Sequence, residues 1–251
     1  MSTQLFKKFQ YLAITSKTNG EEIELTNDIA ELHRKKNKDE EKIKLKTALE
    51  KQEIKHLLHF TPIKNLKQIL KFGILPRDFL EIPCVNKIIM PTFPDQKRMD
   101  GHRDSFCVSV SWPNYKMLSF KSNRMDTEWV ILKISPKHIE ENKCIFFKTN
   151  AASFKSRKNK DNTFDQMFYN DDNIRDELNL ENYFTTDPQA EVLSSSQISP
   201  KWIEALYFKD HSQIVKHTVI NLTKQNLLNG IKLIYGSIFF EPRKDFKYWQ
   251  K

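Results

Sequence analysis

Glycine is scarcer in this chain than in most folded proteins of its size: there are five in 251 residues. Loops that cradle phosphate with bare backbone need several closely spaced glycines, because a side chain would hold the ligand away. Gly20, Gly73, Gly101, Gly230 and Gly236 fit neither G-x-G-x-x-G nor G-x-x-x-x-G-K-[ST]. Doubly wound dinucleotide folds and P-loop folds are excluded on that ground. Cys84, Cys107 and Cys144 are odd in number and far apart, which excludes a disulfide framework and a C-x-x-C knuckle. With no H-E-x-x-H either, no metal is expected. Apolar residues make up 39 %, including 18 Phe, 7 Tyr and 4 Trp, enough for a sizeable core. No apolar run reaches membrane-spanning length, and Lys7 and Lys8 interrupt the N-terminal candidate for a signal segment. The expectation is a soluble, cytoplasmic monomer.

A formal charge of +9 favours an anionic partner, nucleic acid or a charged cofactor. The charge is unevenly spread. Lys143, Lys148, Lys155, Arg157, Lys158 and Lys160 fall within eighteen residues that hold no acid, among Phe146, Phe147 and Phe154. Rings between cations suit stacked bases beside phosphates. Phe154, Lys155, Arg157 and Lys158 are therefore candidate nucleic-acid contacts, although a solvated loop over core phenylalanines would read the same way.

Residues 1–53 differ from the remainder. Leu25, Ile29 and Leu32 keep helical spacing, a polar stretch follows, and Leu45 and Leu49 resume the period. This predicts a charged helical extension over 1–53, ahead of one domain over 54–251. In that domain Thr61 is expected to cap a helix starting at Pro62, with Ile63, Leu66, Ile69 and Leu70 inward and Gly73 at the exit. Phe106, Val108 and Val110 alternate with polar neighbours, as a half-buried strand does. Further strands are expected at Trp129–Ile134, Cys144–Phe147, Glu191–Leu193 and Trp202–Phe208, and helices near Thr163–Phe168 and Leu222–Leu233. Short strands mixed with helices, without regular βαβ alternation, read as an α+β fold.

The most specific local sequence is Thr186-Asp187-Pro188-Gln189-Ala190-Glu191-Val192-Leu193. Gln189 and Glu191 stand two apart, so on a strand they share a face. A carboxylate there can hold a ribose hydroxyl and stabilise positive charge at an anomeric carbon, while the amide orients a second reactant.

Taken in order, several segments resemble the DarT family of DNA ADP-ribosyltransferase toxins. They are His59-Phe60-Thr61 with Asn65-Leu66 and Ile69-Leu70, Arg98-x-Asp100-Gly101, Ser109 to Met117, Thr149 to Ser153, Thr186 to Leu193, and the late Phe240-Glu241-Pro242-Arg243. The resemblance implies an ADP-ribosyltransferase fold, a split β core with helices and an NAD cleft. It implies NAD as co-substrate, single-stranded DNA as acceptor and a separately encoded macrodomain antitoxin as partner. Glu191 would be the catalytic glutamate, and Gln189 would position the acceptor base. His59, Thr61 and Asn65 would hold NAD, and Arg98 its phosphates, assisting also in proton removal; Arg103 competes for that role. Tyr115 would stack on nicotinamide or on the target base. Ser109–Trp112 followed by Asn114-Tyr115-Lys116-Met117 departs from the thymidine-modifying branch, as does Leu118-Ser119, and so guanine is favoured over thymine. Transfer to RNA, protein or a small molecule, and a non-catalytic nucleic-acid-binding module, are the alternatives; the intact Gln189–Glu191 pair argues against the last.

Overall fold

The computed structural model describes residues 35, 39–95, 98–153, 156 and 163–250. The chain divides into two units, Met1–Lys46 and Thr47–Lys251. In the first, residues 35 and 39–46 are described and helical; the helix expected around Leu25–Leu32 lies outside the described residues. All that follows belongs to the second.

Its seven strands are β1 (Leu57–Pro62), β2 (Phe106–Val110), β3 (Trp129–Ile134), β4 (Cys144–Phe147), β5 (Glu191–Ser194), β6 (Ile203–Phe208) and β7 (Lys232–Tyr235). They form one sheet in the order β4-β5-β2-β1-β3-β6-β7. Every pairing is antiparallel except that of β6 with β7. The mixed architecture expected from the sequence is therefore the one the chain adopts. β3 reads Trp-Val-Ile-Leu-Lys-Ile, a nearly continuous apolar run, because it lies inside the sheet with both faces covered. Leu57, Ile131, Leu132, Ile134, Leu206 and Phe208 are fully buried there. Each such side chain contributes roughly 1.5–3 kcal/mol of hydrophobic stabilisation.

The seam between β1 and β2 positions the site. β1 pairs with β3 over all six of its residues, but with β2 only at Leu57↔Val110 and Leu58↔Ser109. Beyond that pair the strands part, leaving His59, Phe60 and Thr61 unpaired on the β2 side. The sheet is thus split into β1-β3-β6-β7 and β2-β5-β4, hinged at two residues.

Around it lie α1 (Leu66–Phe72), α2 (Arg77–Leu80), α3 (Pro83–Ile89), α4 (Tyr115–Ser122), α5 (Lys137–Glu141), α6 (Ile174–Glu177) and α7 (Gln213–Lys224). Three elements differ from the sequence reading. Thr61 does not cap α1: Thr61 and Pro62 remain in the ladder with β3, a 3-10 turn over Ile63–Asn65 intervenes, and Thr61 Oγ1 accepts from Asn65 Nδ2 at 2.9 Å. The segment near Thr163–Phe168 is a 3-10 turn over Asp165–Phe168. The helix placed at Leu222–Leu233 is α7, ending at Lys224. Ser212 Oγ starts it by accepting from Val215 N at 3.3 Å, Asn226 takes φ 55° just beyond its end, and Leu233 belongs to β7, opposite Leu206.

Candidate active site

A cavity of about 330 Å³ opens where β1 and β2 diverge, a size usual for small-molecule sites. His59, Thr61, Asn65, Arg98, Lys121, Asn150 and Glu191 are among its walls. Five of the residues singled out from sequence are thereby brought together.

Glu191 is the first residue of β5 and only 8 % exposed. Three groups from two segments donate to its carboxylate. Asn114 Nδ2 and Asn150 Nδ2 reach Oε1 at 3.3 and 3.4 Å, and the Ala151 N–H reaches Oε2 at 3.0 Å. Both amides are oriented by their own oxygens. Asn114 Oδ1 caps α4 by accepting from Met117 N at 3.1 Å, and Asn150 Oδ1 accepts from Ala152 N at 2.9 Å. A carboxylate offers about four acceptor positions, so capacity remains for a further hydroxyl. Burial pushes the Glu191 carboxyl above its ordinary value, Ala151 and Asn114 pull it back, and Asp100 adds to the rise.

His59 spans the split. Its Nδ1 is 2.9 Å from the Cys107 carbonyl, left free by the parting of β1 from β2. A carbonyl only accepts, so Nδ1 carries the proton and Nε2 is the acceptor in the neutral ring. Burial lowers the imidazole to about 4 against the opposing Cys107 bond, with Lys121 and Arg98 adding to the fall. It is neutral at pH 7. Cys107 lines the same cavity, but burial and the nearby Glu191 push its thiol up to about 12, which leaves it inert as a nucleophile.

Arg98 forms a two-pronged pair with Asp100, Nε to Oδ1 at 3.2 Å and Nη2 to Oδ2 at 2.5 Å, and Nη1 donates to the Ser105 carbonyl at 3.1 Å. Arg103 is two-thirds exposed and paired with Glu81, away from the cavity lining. Of the two arginines, only Arg98 belongs to the cavity. Asn65 spends its amide on the protein: Nδ2 donates to Thr61 Oγ1 and to the Thr92 carbonyl, both at 2.9 Å, and Oδ1 accepts from Thr92 N at 2.7 Å. It fastens the loop after α3 to the start of α1.

Two residues assigned from sequence are placed elsewhere. Gln189 does not lie on the strand with Glu191, because β5 begins at Glu191 and Gln189 stands in the preceding turn, its N–H held by Asp187 Oδ1 at 2.7 Å. Gln189 and Tyr115 both line a second, narrow crevice rather than the cavity. Phe154, Lys155, Arg157 and Lys158 lie outside the described residues. The carboxylate cradle of Asn114, Asn150 and Ala151 sits in segments visible in the sequence, but nothing in it shows which way the amides point.

The family described as ssDNA thymidine ADP-ribosyltransferase, DarT, matches residues 58–233, more than two-thirds of the chain. The chain belongs to the DarT family. Among solved structures, this DarT-family chain is similar to Thermosipho africanus DarTG in complex with ADP-ribose, at 20 % identity and a TM-score of 0.45, over 74 % of this chain and 51 % of that one. It therefore spans about half the length of the Thermosipho chain. It is also similar to Thermus sp. 2.9 DarT in complex with carba-NAD+, at 16 % identity and 0.47, over 73 % of this chain and 97 % of that one. The same Thermus protein in complex with ADP-ribosylated ssDNA gives 15 % and 0.44, over 75 % and 97 %. No curated protein sequence matches the chain. Among the described residues, no helix is long and apolar enough to cross a membrane, and no group of three metal-ligating side chains converges.

Proposed function

We propose that the chain transfers ADP-ribose from NAD to a nucleobase of single-stranded DNA, with guanine as the acceptor. The observation that carries this is the buried Glu191 carboxylate, held by three donors at the wall of a cavity shared with a neutral imidazole. Glu191 accepts a hydroxyl of the nicotinamide ribose and stabilises the positive charge that develops at the anomeric carbon as the bond to nicotinamide breaks. Preformed electrostatics of this kind is worth about 10²–10³ in rate per group. His59 accepts a second ribose hydroxyl at Nε2, and Arg98 and Lys121 supply positive charge for the diphosphate. A ring or exocyclic nitrogen of the base attacks the anomeric carbon and releases a proton. Unpaired DNA is the fitting acceptor, since no cost of extracting a base from a duplex arises.

Guanine rather than the thymidine of the family's description is favoured by the Ser109-Val110-Ser111-Trp112 strand end and the following Asn114-Tyr115-Lys116-Met117. The reading also carries a separately encoded macrodomain antitoxin and a monomeric, cytoplasmic toxin.

Mass spectrometry of oligonucleotides of defined base content, incubated with NAD, tests this. The expected product is an ADP-ribose adduct on guanine, lost with Glu191→Gln. An adduct on thymine keeps the enzyme and overturns the base assignment. No adduct on any oligonucleotide, or one retained by Glu191→Gln, overturns the mechanism.

A further inference from the structure

We propose that the segment from Arg243 to Gln250, beyond the matched residues 58–233, is where the acceptor strand lies next to the modified base; this rests on the reading above. The segment is built into the approach to Glu191. Arg243 is 2 % exposed; its Nε and Nη2 bind the two oxygens of Asp245, each at 2.6 Å. Nη1 and Nη2 donate to the carbonyls of Thr185 and Thr186 at 2.7 and 2.9 Å. Those carbonyls belong to the loop that runs through Gln189 into Glu191. Asp245 Oδ2 in turn accepts from Trp249 Nε1 at 2.8 Å, which orients the indole.

This clamp sets Phe246 and Trp249 against Tyr115, Lys116 and Gln189 around the narrow crevice. Asn114 lines both that crevice and, through Nδ2, the Glu191 carboxylate, so the two places share a wall. The crevice measures about 10 Å³, room for about one water. A base therefore rests on its rim instead of entering it. The rim has the chemistry for that. Tyr248, 39 % exposed, stands edge-on to Trp249 with ring centres 5.2 Å apart, and Lys116 and Lys247 are exposed beside them. Trp112, another wall residue, carries a buried indole N–H without a partner among the described residues. An exposed Tyr248 beside the half-buried Trp249, flanked by cations, is the arrangement a single strand uses, a ring stacking a base and each cation meeting a phosphate. A duplex has no free base face to offer, so the occupant is single-stranded nucleic acid.

Fluorescence anisotropy of a labelled single-stranded oligonucleotide, titrated across salt, tests the assignment. Trp249→Ala is expected to weaken binding about tenfold, within the range for loss of one stacked base. Lys116→Ala with Lys247→Ala, both exposed and safe for folding, is expected to flatten the log–log salt slope by about 1.4, at about 0.7 per phosphate contact. If the wild type modifies an oligonucleotide while both variants match its affinity and slope, the segment carries no strand and the face is left to a protein partner. If the wild type neither binds nor modifies any oligonucleotide, the underlying reading fails, and this inference fails with it.

Discussion

The Glu191 carboxyl is raised by burial against the pull of its donors, and the sign of the pH effect follows. In the proposed mechanism the ionised form does the work, so activity is expected to climb as pH rises through a value above the ordinary glutamate pKa of 4.5. Asn114→Ala removes one donor to the ionised form and is expected to move the acid limb of kcat/KM to higher pH. A pH–rate profile checks this, and an unmoved limb dissociates Asn114 from the carboxylate. The same raised pKa favours the protonated side chain in the folded state. Its contribution to stability is therefore present at low pH and lost as pH rises from the unfolded value through the folded one. Arg98 gives a second residue-level prediction. Arg98→Lys keeps the charge but loses the two-pronged geometry toward Asp100, and is expected to raise KM for NAD about tenfold, the cost of one or two charged hydrogen bonds. Arg103→Ala, on the surface beside Glu81, should leave KM where it is. That Glu191, His59 and Arg98 share one cavity is legible in the order of their segments. The Asn114–Asn150 cradle was not, since the amides point as they do through a helix cap and a tight turn, which tertiary structure decides. Gln189 was misplaced by a small margin with large effect: it needed β5 to begin two residues sooner.

At the scale of elements, the sequence locates strands better than helix ends. Trp129–Ile134 and Cys144–Phe147 fall where alternating or continuous apolar runs put them. The leucines near 222–233 mislead because they continue past the true helix end at Lys224, where Asn226 in the left-handed region turns the chain toward β7. Gly73, read as the exit from α1, shows how strictly one position can be fixed. Its φ is +79°, and a Cβ there would stand 2.1 Å from the Ile198 carbonyl oxygen, next to the bridge between Ile74 and Ile198. Both backbone strain and collision oppose any side chain. Gly73→Ala is expected to cost about 1–3 kcal/mol from the φ alone, with the clash in addition. Each kcal/mol lowers the melting temperature by about 2–4 °C in a chain of this size. Urea unfolding is the measurement, and an unchanged midpoint would show that the loop carrying Ile198 yields freely.

For the molecule as a whole, the buried Arg243–Asp245 pair links the end of the described chain to the turn before β5. Burial raises the Asp245 carboxyl, but the Arg243 bond and charge prevail and hold it below its ordinary 3.8. A depressed carboxyl contributes stability above its unfolded pKa, and that contribution disappears as pH falls through the folded value. Asp245→Asn is expected to cost about 3–5 kcal/mol at neutral pH, because Arg243 is left buried without its counter-charge. It should also shrink the loss of stability below pH 3.8, and chemical denaturation at several pH values reads both effects. The three donors around Glu191 come from the ends of β2 and β4, and the carboxylate itself from the start of β5, so the reacting centre joins parts far apart along the chain. A growing polypeptide on the ribosome accordingly carries the His59 imidazole and all three donors before the carboxylate they surround has been made. Only with β5 in place between β2 and β4 does the carboxylate sit among its donors. If the proposed transfer is its activity, that activity belongs to the folded chain and not to the nascent one.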